Sequence, residues 1–184
     1  METLSIALSL WKLGIVSSED LIAWVDAQIQ MSDNPDEALV QLSLNGPEAC
    51  LKCPIYEFPI RPIKLTFTEE FSLRLSMLDA HSDSEVGTFI KWATVKCMGE
   101  DLDDPIVIFC YQLEDAWTLE KQVSFLRNEL PPLISRTTSI ANSFYARVPG
   151  LKLKGTHYMS RLTTGSNRSL RSLGRAKARP LTKR

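Results

Sequence analysis

Apolar residues recur every three or four positions through most of the first 145 residues, which is the spacing of one face of an α-helix. The first such stripe begins near the N-terminus and is ended by Gly14. Later stripes of the same kind predict further amphipathic helices. Four of these stripes are Leu4, Ala7, Leu8 and Trp11; Leu21, Ile22, Val25 and Ile29; Val86, Phe89, Ile90 and Ala93; and Ile106, Phe109, Cys110 and Leu113.

Side chains that cap helices precede these stripes. Ser, Thr, Asp and Asn accept hydrogen bonds from the free amides of a first helical turn, and an early acidic residue favours the same end of the helix. The predicted starts are Ser17, Asn34 with Pro35, Thr68, Ser82, Asp104 with Pro105, and Thr118. With a last helix near residues 133–144, the pattern predicts a mainly α fold of seven or eight short antiparallel helices in a compact array.

Residues 46–68 interrupt the helical pattern. Asn45, Gly46 and Pro47 are expected to end the third helix. Three more prolines follow before residue 63, and proline in a helix interior removes an amide donor and clashes with the preceding turn. The alternation of apolar and polar residues at positions 63–68 predicts one short strand or an extended edge segment.

Charge divides the chain into two unequal parts. All 22 acidic residues lie at or before Glu129, and residues 1–146 hold only ten basic ones, a net charge of −12. Residues 147–184 hold eleven basic residues and no acidic one. Few large apolar side chains accompany these cations, so burial is too small to offset the entropy of ordering. The sequence therefore predicts an acidic helical domain over residues 1–146 and a disordered basic tail over residues 147–184.

The apolar runs are short. The longest covers residues 106–111, whereas a membrane-spanning helix needs roughly 20 apolar residues. The N-terminus carries Glu2 and Lys12 rather than positive charge followed by an unbroken apolar stretch, which disfavours a secretory signal. A cytoplasmic protein without a transmembrane segment is expected.

The cysteines raise the question of a metal or redox site. Cys50 and Cys53 have the spacing of a zinc or thiol–disulfide motif, but structural zinc needs four ligands. Cys97 and Cys110 lie on apolar helical stripes, and Pro54 follows the pair in a proline-rich stretch. Reduced, ordinary thiols are the favoured interpretation, and metal binding by Cys50 and Cys53 remains the open alternative.

No catalytic constellation is apparent in the sequence. His81 is the one histidine before the tail, and its polar neighbours are explained by a turn in which Ser82 caps a helix. The chain lacks a glycine-rich phosphate loop and a Gly-x-Ser-x-Gly turn. We therefore predict no catalytic residue, no cofactor and no metal ligand, and expect a non-enzymatic protein.

Two charged segments are candidates for contact with a partner. The first is a dense acidic run that lacks the ligand spacing of a calcium loop. A solvated loop before a helix explains it, and it also offers a partner-facing acidic surface: Glu100, Asp101, Asp103 and Asp104. The second segment is the basic tail, where cations attract nucleic acid or other anions. Its candidate contacts are Arg168, Arg171, Arg175, Lys177 and Arg179.

The residues from Leu10 to Ile29, continuing through Asn34-Pro35 and residues 42–44, form a helix-spacing pattern. This pattern resembles small uncharacterised bacterial helical proteins, some of which are similar to the immunity proteins that accompany secreted toxins. The resemblance covers about the first 45 residues and excludes the basic tail. It implies an intracellular bacterial binding protein and assigns no site residues.

Three functional hypotheses follow. The leading one is a non-enzymatic cytosolic protein-binding domain, of the immunity type, that neutralises a basic toxin or effector through an acidic surface. The alternative is a nucleic-acid-associated protein that binds through its basic tail. The third is a metal-dependent enzyme built on Asp101, Asp103 and Asp104.

Overall fold

The computed structural model describes residues 2–79, 81–116 and 118–154. These residues form eight α-helices and no strand, which confirms a mainly α fold with the predicted number of helices. The helices are α1 (Glu2–Lys12), α2 (Ser18–Gln30), α3 (Glu37–Lys52), α4 (Phe67–Met77), α5 (Asp83–Lys96), α6 (Pro105–Glu114), α7 (Leu119–Glu129) and α8 (Pro131–Tyr145).

Four helices begin at the capping residues that the sequence predicts. The side chains of Ser17, Ser82, Asp104 and Thr118 each accept a hydrogen bond from an amide in the first turn of α2, α5, α6 and α7. Such a bond satisfies an amide that has no partner within the helix. Local side-chain chemistry therefore fixes the start of half of the helices.

Two predicted starts were wrong by two residues. Asp36, and not Asn34, caps α3 by accepting from the Ala38 amide at 2.8 Å. Thr66, and not Thr68, caps α4, because Glu69 stands three residues after it and closes a reciprocal capping box.

The alternating segment at residues 63–68 does not form a strand. Residues 59–66 are irregular, and α4 begins at Phe67. The Ile63 amide donates to Ser9 Oγ at 2.9 Å, so a side chain of α1 takes the place of a neighbouring strand. The alternation reflects an extended segment that packs on the helices.

The third helix continues past its predicted end. Gly46 has φ 76° and ψ 163°, which breaks the helical path, but the chain resumes helical geometry at Pro47 and continues to Lys52. Proline fits the first turn of this second segment because the amide it lacks has no helical partner there. Gly46 and Pro47 therefore kink α3 instead of ending it.

The apolar interior consists of two clusters. The first is built mainly by α1, α2 and α3, and the second mainly by α5, α6 and α7. Helix α4 contributes to both, because Leu73 belongs to the first cluster while Phe71 and Leu75 belong to the second. Helix α8 also reaches both, with Phe144 in the first cluster and Leu133 packed against the second.

Helices α4 and α8 form the most extensive contact between any two helices. Small polar side chains are fully buried on them, namely Ser72 and Ser76 of α4 and Thr137 of α8. Each hydroxyl has a partner: Ser72 donates to the Thr68 carbonyl at 2.7 Å, and Ser76 bonds to the Tyr145 hydroxyl. Because these side chains are short and satisfied, the two helices pack closely without an unpaired polar group.

The folded body extends beyond the predicted boundary at residue 146. Val148 and Leu151 are buried in the first apolar cluster. Trp24 Nε1 donates to the Pro149 carbonyl at 3.0 Å, and the Lys154 amide donates to the Ile15 carbonyl at 2.8 Å. The first eight residues of the predicted tail therefore pack on the helices, and the rest of the tail lies outside the described residues.

None of the described helices combines the length and the apolar composition that crossing a bilayer requires.

Replacing Gly46 and Gly87 by alanine should change the free energy of unfolding in opposite directions. Gly46→Ala places a Cβ in a backbone conformation that only glycine adopts readily, so we expect a loss of about 1–3 kcal/mol in the free energy of unfolding. Gly87 is helical, and a Cβ there meets Leu119 Cδ1 at 3.4 Å, an ordinary contact. Gly87→Ala should therefore raise the free energy of unfolding by roughly 0.5–1 kcal/mol. Urea denaturation of both variants measures these two changes. Equal changes in the free energy of unfolding would contradict the different backbone environments of Gly46 and Gly87.

Candidate protein-binding surface

The connection between α5 and α6 is a tight turn. The Cys97 amide bonds to the Ala93 carbonyl, and the Glu100 amide bonds to the Cys97 carbonyl at 3.1 Å. Gly99 has φ 83°, the left-handed conformation that commonly ends a helix. Its amide donates to the Tyr111 hydroxyl on α6 at 3.4 Å, which ties the turn to the helix that follows.

The acidic run is held in a defined conformation. The Asp101 side chain accepts from the Asp103 amide at 2.9 Å, and the Asp104 amide donates to the Asp101 carbonyl at 3.1 Å. Glu100, Asp101 and Asp103 are exposed, and within the described residues no cation lies within ion-pair distance of their carboxylates. These three carboxylates are exposed to solvent and form no ion pair with a described residue.

Asp104, the fourth acidic residue of the run, has a structural position. Its carboxylate caps α6 through the Ile106 amide at 2.9 Å, and it accepts from Thr68 Oγ1 at 2.6 Å and from Arg136 Nη2 at 3.2 Å. Its side chain is only 19% exposed. Asp104 therefore ties α6 to α4 and α8, and only the other three acidic residues are available to a partner.

Three large apolar side chains close to the acidic residues in the chain are exposed, and the acidic run alone did not predict them. Val95, Met98 and Leu102 are 65%, 57% and 60% exposed. The sequence held a signal for one of them, because Val95 falls off the buried stripe of α5, whereas Met98 and Leu102 lie in the connection to α6, where no helical periodicity applies. We define the α5–α6 surface as Val95, Met98, Glu100, Asp101, Leu102 and Asp103. Clustered exposed apolar side chains with charged neighbours are typical of interaction surfaces.

The four cysteines form no disulfide bond with one another. All four are free, and Cys50 is buried in α3 with its thiol donating to the Gln41 carbonyl at 3.5 Å. Burial raises the pKa of Cys50, and it also raises the pKa of Cys97 and Cys110, so these three thiols stay protonated at neutral pH. Among the described residues, no group of three or more His, Cys, Asp or Glu side chains is arranged to hold a metal ion.

His81 lies in the predicted turn before α5. Its amide donates to the Asp79 side chain at 2.9 Å, and Ser82 Oγ accepts from the Glu85 amide at 3.3 Å. Glu85 in turn accepts from the Asp79 amide at 3.2 Å instead of from Ser82. The polar residues around His81 therefore serve to start a helix.

The predicted anion contacts Arg168, Arg171, Arg175, Lys177 and Arg179 lie outside the residues that the structure describes. Comparison of the chain with protein-family models, with curated proteins and with solved structures finds no match.

Asp103 and Asp104 have different environments, so removing their side chains should lower the free energy of unfolding by different amounts. Asp104→Ala deletes a helix cap and leaves Thr68 and Arg136 without their acceptor, so the free energy of unfolding should fall by about 2–3 kcal/mol. Asp103→Ala is the matched control, and it should change this free energy by less than about 0.5 kcal/mol. Urea denaturation measures both, and comparable losses would contradict the structural position of Asp104.

Proposed function

We propose that this chain is a non-enzymatic cytosolic domain that binds a basic protein, a toxin or effector, and neutralises it. The α5–α6 surface is the docking site. Four free thiols support a reducing compartment. The single observation that carries the proposal is the combination, within nine consecutive residues, of three exposed apolar side chains and three unpaired carboxylates.

The two kinds of side chain contribute differently to binding. Carboxylates attract a basic protein over distance and accelerate encounter, and their effect weakens as salt screens the charges. Apolar side chains give affinity because a partner removes them from water. Val95, Met98 and Leu102 supply the apolar contacts, and Glu100 and Asp103 supply the attraction. Such a surface selects partners that are both basic and apolar.

The surface is also preorganised. The turn at Gly99 and the hydrogen bond within the acidic run fix the backbone before a partner arrives. The bonds of Asp104 to α4 and α8 hold the start of α6 in place. A fixed backbone reduces the conformational entropy lost on binding. The backbone that carries the acidic residues is therefore already in place when a partner binds.

The test compares affinity capture by the full wild-type chain with capture by a surface variant. Glu100→Gln, Leu102→Ser and Asp103→Asn together remove two charges and one apolar side chain, and they spare Asp101, which the turn needs. We expect a basic protein that the wild type retains and that the variant binds at least roughly tenfold more weakly, with the difference shrinking at high salt. Quantitative mass spectrometry of the retained proteins measures this.

A control variant makes matching changes elsewhere. Glu19→Gln, Asp33→Asn and Leu44→Ser alter exposed residues of the α1–α3 region with the same change in charge and the same leucine-to-serine replacement. This control should retain the partner. The captured protein, produced alone in cells, should also arrest growth and be neutralised by the wild type and the control but not by the surface variant. A partner retained equally by all three chains, or retention of nucleic acid alone, would contradict the proposal.

A further inference from the structure

A groove runs beside α5 where the two apolar clusters meet. It is bounded by the turn between α1 and α2, the end of α4 and one side of α5, and its volume is about 280 Å³. Pockets for small-molecule ligands usually occupy about 300–1,000 Å³, so this groove suits a side chain of a partner better than a whole ligand. Its apolar lining comprises Leu13, Ile15, Met77, Leu78, Phe89 and Trp92. We call it the α1–α4–α5 groove.

The α5 wall of this groove continues into the α5–α6 surface. Glu85, Thr88 and Trp92 line the groove, and intervals of three and four residues place them on one side of the helix. Val95, which belongs to the α5–α6 surface, follows Trp92 after three residues on this same side. The four residues form a continuous strip, about 15 Å long, which we call the α5 strip.

The charges beside the groove favour a basic occupant. Arg74 lies over the Trp92 ring, 4.6 Å from its centroid, and pairs with Glu70 at 2.8 Å, so an acidic neighbour already balances this cation. Glu85 is exposed and accepts a hydrogen bond from the Asp79 amide, but it pairs with no cation of the described residues. The groove therefore offers an apolar floor with a carboxylate at its rim.

Two exposed lysines of α5 reduce the negative charge of this region without reversing it. Lys91 projects about 120° around the helix from Glu85, and Lys96 lies four residues before Glu100. Along the α5 strip and the turn that follows it, the exposed carboxylates are Glu85, Glu100, Asp101 and Asp103. Acidic side chains therefore stand at both ends of the strip, where they attract a basic partner.

The α5–α6 surface alone is small for a protein interface. A stable interface uses about 20–30 residues on each side, and this surface has six. The α1–α4–α5 groove adjoins it and adds apolar side chains that a partner would remove from water. Contact with a partner is therefore expected to extend from the surface along α5 into the groove.

The backbone of the occupant must also be satisfied. The described residues contain no strand, so they offer no sheet edge with which an extended segment could pair. A helix forms its own backbone hydrogen bonds, and an apolar stripe at helical spacing matches the spacing of the α5 strip. On the premise of the function proposed above, we propose that the basic partner lays an amphipathic helix along the α5 strip, with an apolar side chain in the groove and a basic one beside Glu85.

A defined peptide probes the strip in the intact full-length chain. The peptide has about 18 residues, above the length at which isolated helices are marginal, with leucines on one helical face and lysines on the other. One comparison peptide has glutamate in place of every lysine. A second has the same residues in an order that gives leucine no common face. The readout is the indole N–H signal of Trp92 in NMR spectra of isotope-labelled protein, which Trp92→Phe identifies among the four tryptophans.

The basic amphipathic peptide should shift the Trp92 signal together with the amide signals of Thr88 and Val95. It should bind at least about tenfold more tightly than either comparison peptide. The reordered peptide carries the same charge, so a difference from it separates docking on the strip from simple attraction to an acidic protein. An unmoved Trp92 signal, or equal binding of all three peptides, would overturn the proposal.

Substitutions then locate the contact. Thr88→Arg places a bulky cation at the groove and should weaken binding of the basic peptide at least about tenfold. Glu85→Gln keeps an acceptor for the Asp79 amide and should weaken binding roughly two- to fivefold, the effect of one exposed ion pair. The control Thr3→Arg makes the same change on an exposed residue, roughly 15 Å along α1 from the groove, and should bind like the wild type. Binding that Thr88→Arg leaves unchanged would overturn the proposal.

Capture of the partner separates failure of the α5 strip from failure of the proposed function. Thr88→Arg should retain the captured basic protein at least roughly tenfold more weakly than the wild type and Thr3→Arg do. Equal retention by all three chains would overturn the strip as part of the docking site and leave the proposed function standing. Peptide binding at Trp92 without any captured basic protein would contradict the proposed function, while supporting the strip as a site for a basic amphipathic helix.

Discussion

The close packing of α4 on α8 is the contact on which the rest of the molecule depends. Each helix contributes to both apolar clusters, so the pair joins α1–α3 to α5–α7. Buried Ser72, Ser76 and Thr137 allow the close approach, and each hydroxyl is hydrogen-bonded, so the contact carries no unpaired polar group. A larger or unsatisfied side chain at these positions would separate the helices or leave a buried polar atom unpaired.

The position of the candidate interaction surface follows from this arrangement. The α5–α6 turn is held by Asp104, whose carboxylate bonds to Thr68 on α4 and to Arg136 on α8. One central helix pair therefore sets the position of the α5–α6 surface.

Local chemistry was predictable from the sequence, and long-range packing was not. Helix periodicity and side-chain caps such as Ser17 and Thr118 act over a few residues, so they identified the helices and most of their starts. Of the two alternatives predicted for residues 63–68, the strand was wrong and the extended segment forms, because the Ser9 hydroxyl, 54 positions away, satisfies the Ile63 amide. The acidic run was predictable from the sequence. The structural role of Asp104 was not, because its bonds to Thr68 and Arg136 join residues more than 30 positions apart.

The central claim is that the α4–α8 contact joins both apolar clusters into one cooperative unit. Native-state hydrogen exchange of the full chain in increasing urea tests it most directly. The account predicts that the slowest amides of α2 and of α6 exchange with the same free energy and the same dependence on urea, because both are exposed only when α4 and α8 separate. Exchange of one helix at a free energy several kcal/mol lower, with a smaller urea dependence, would contradict it.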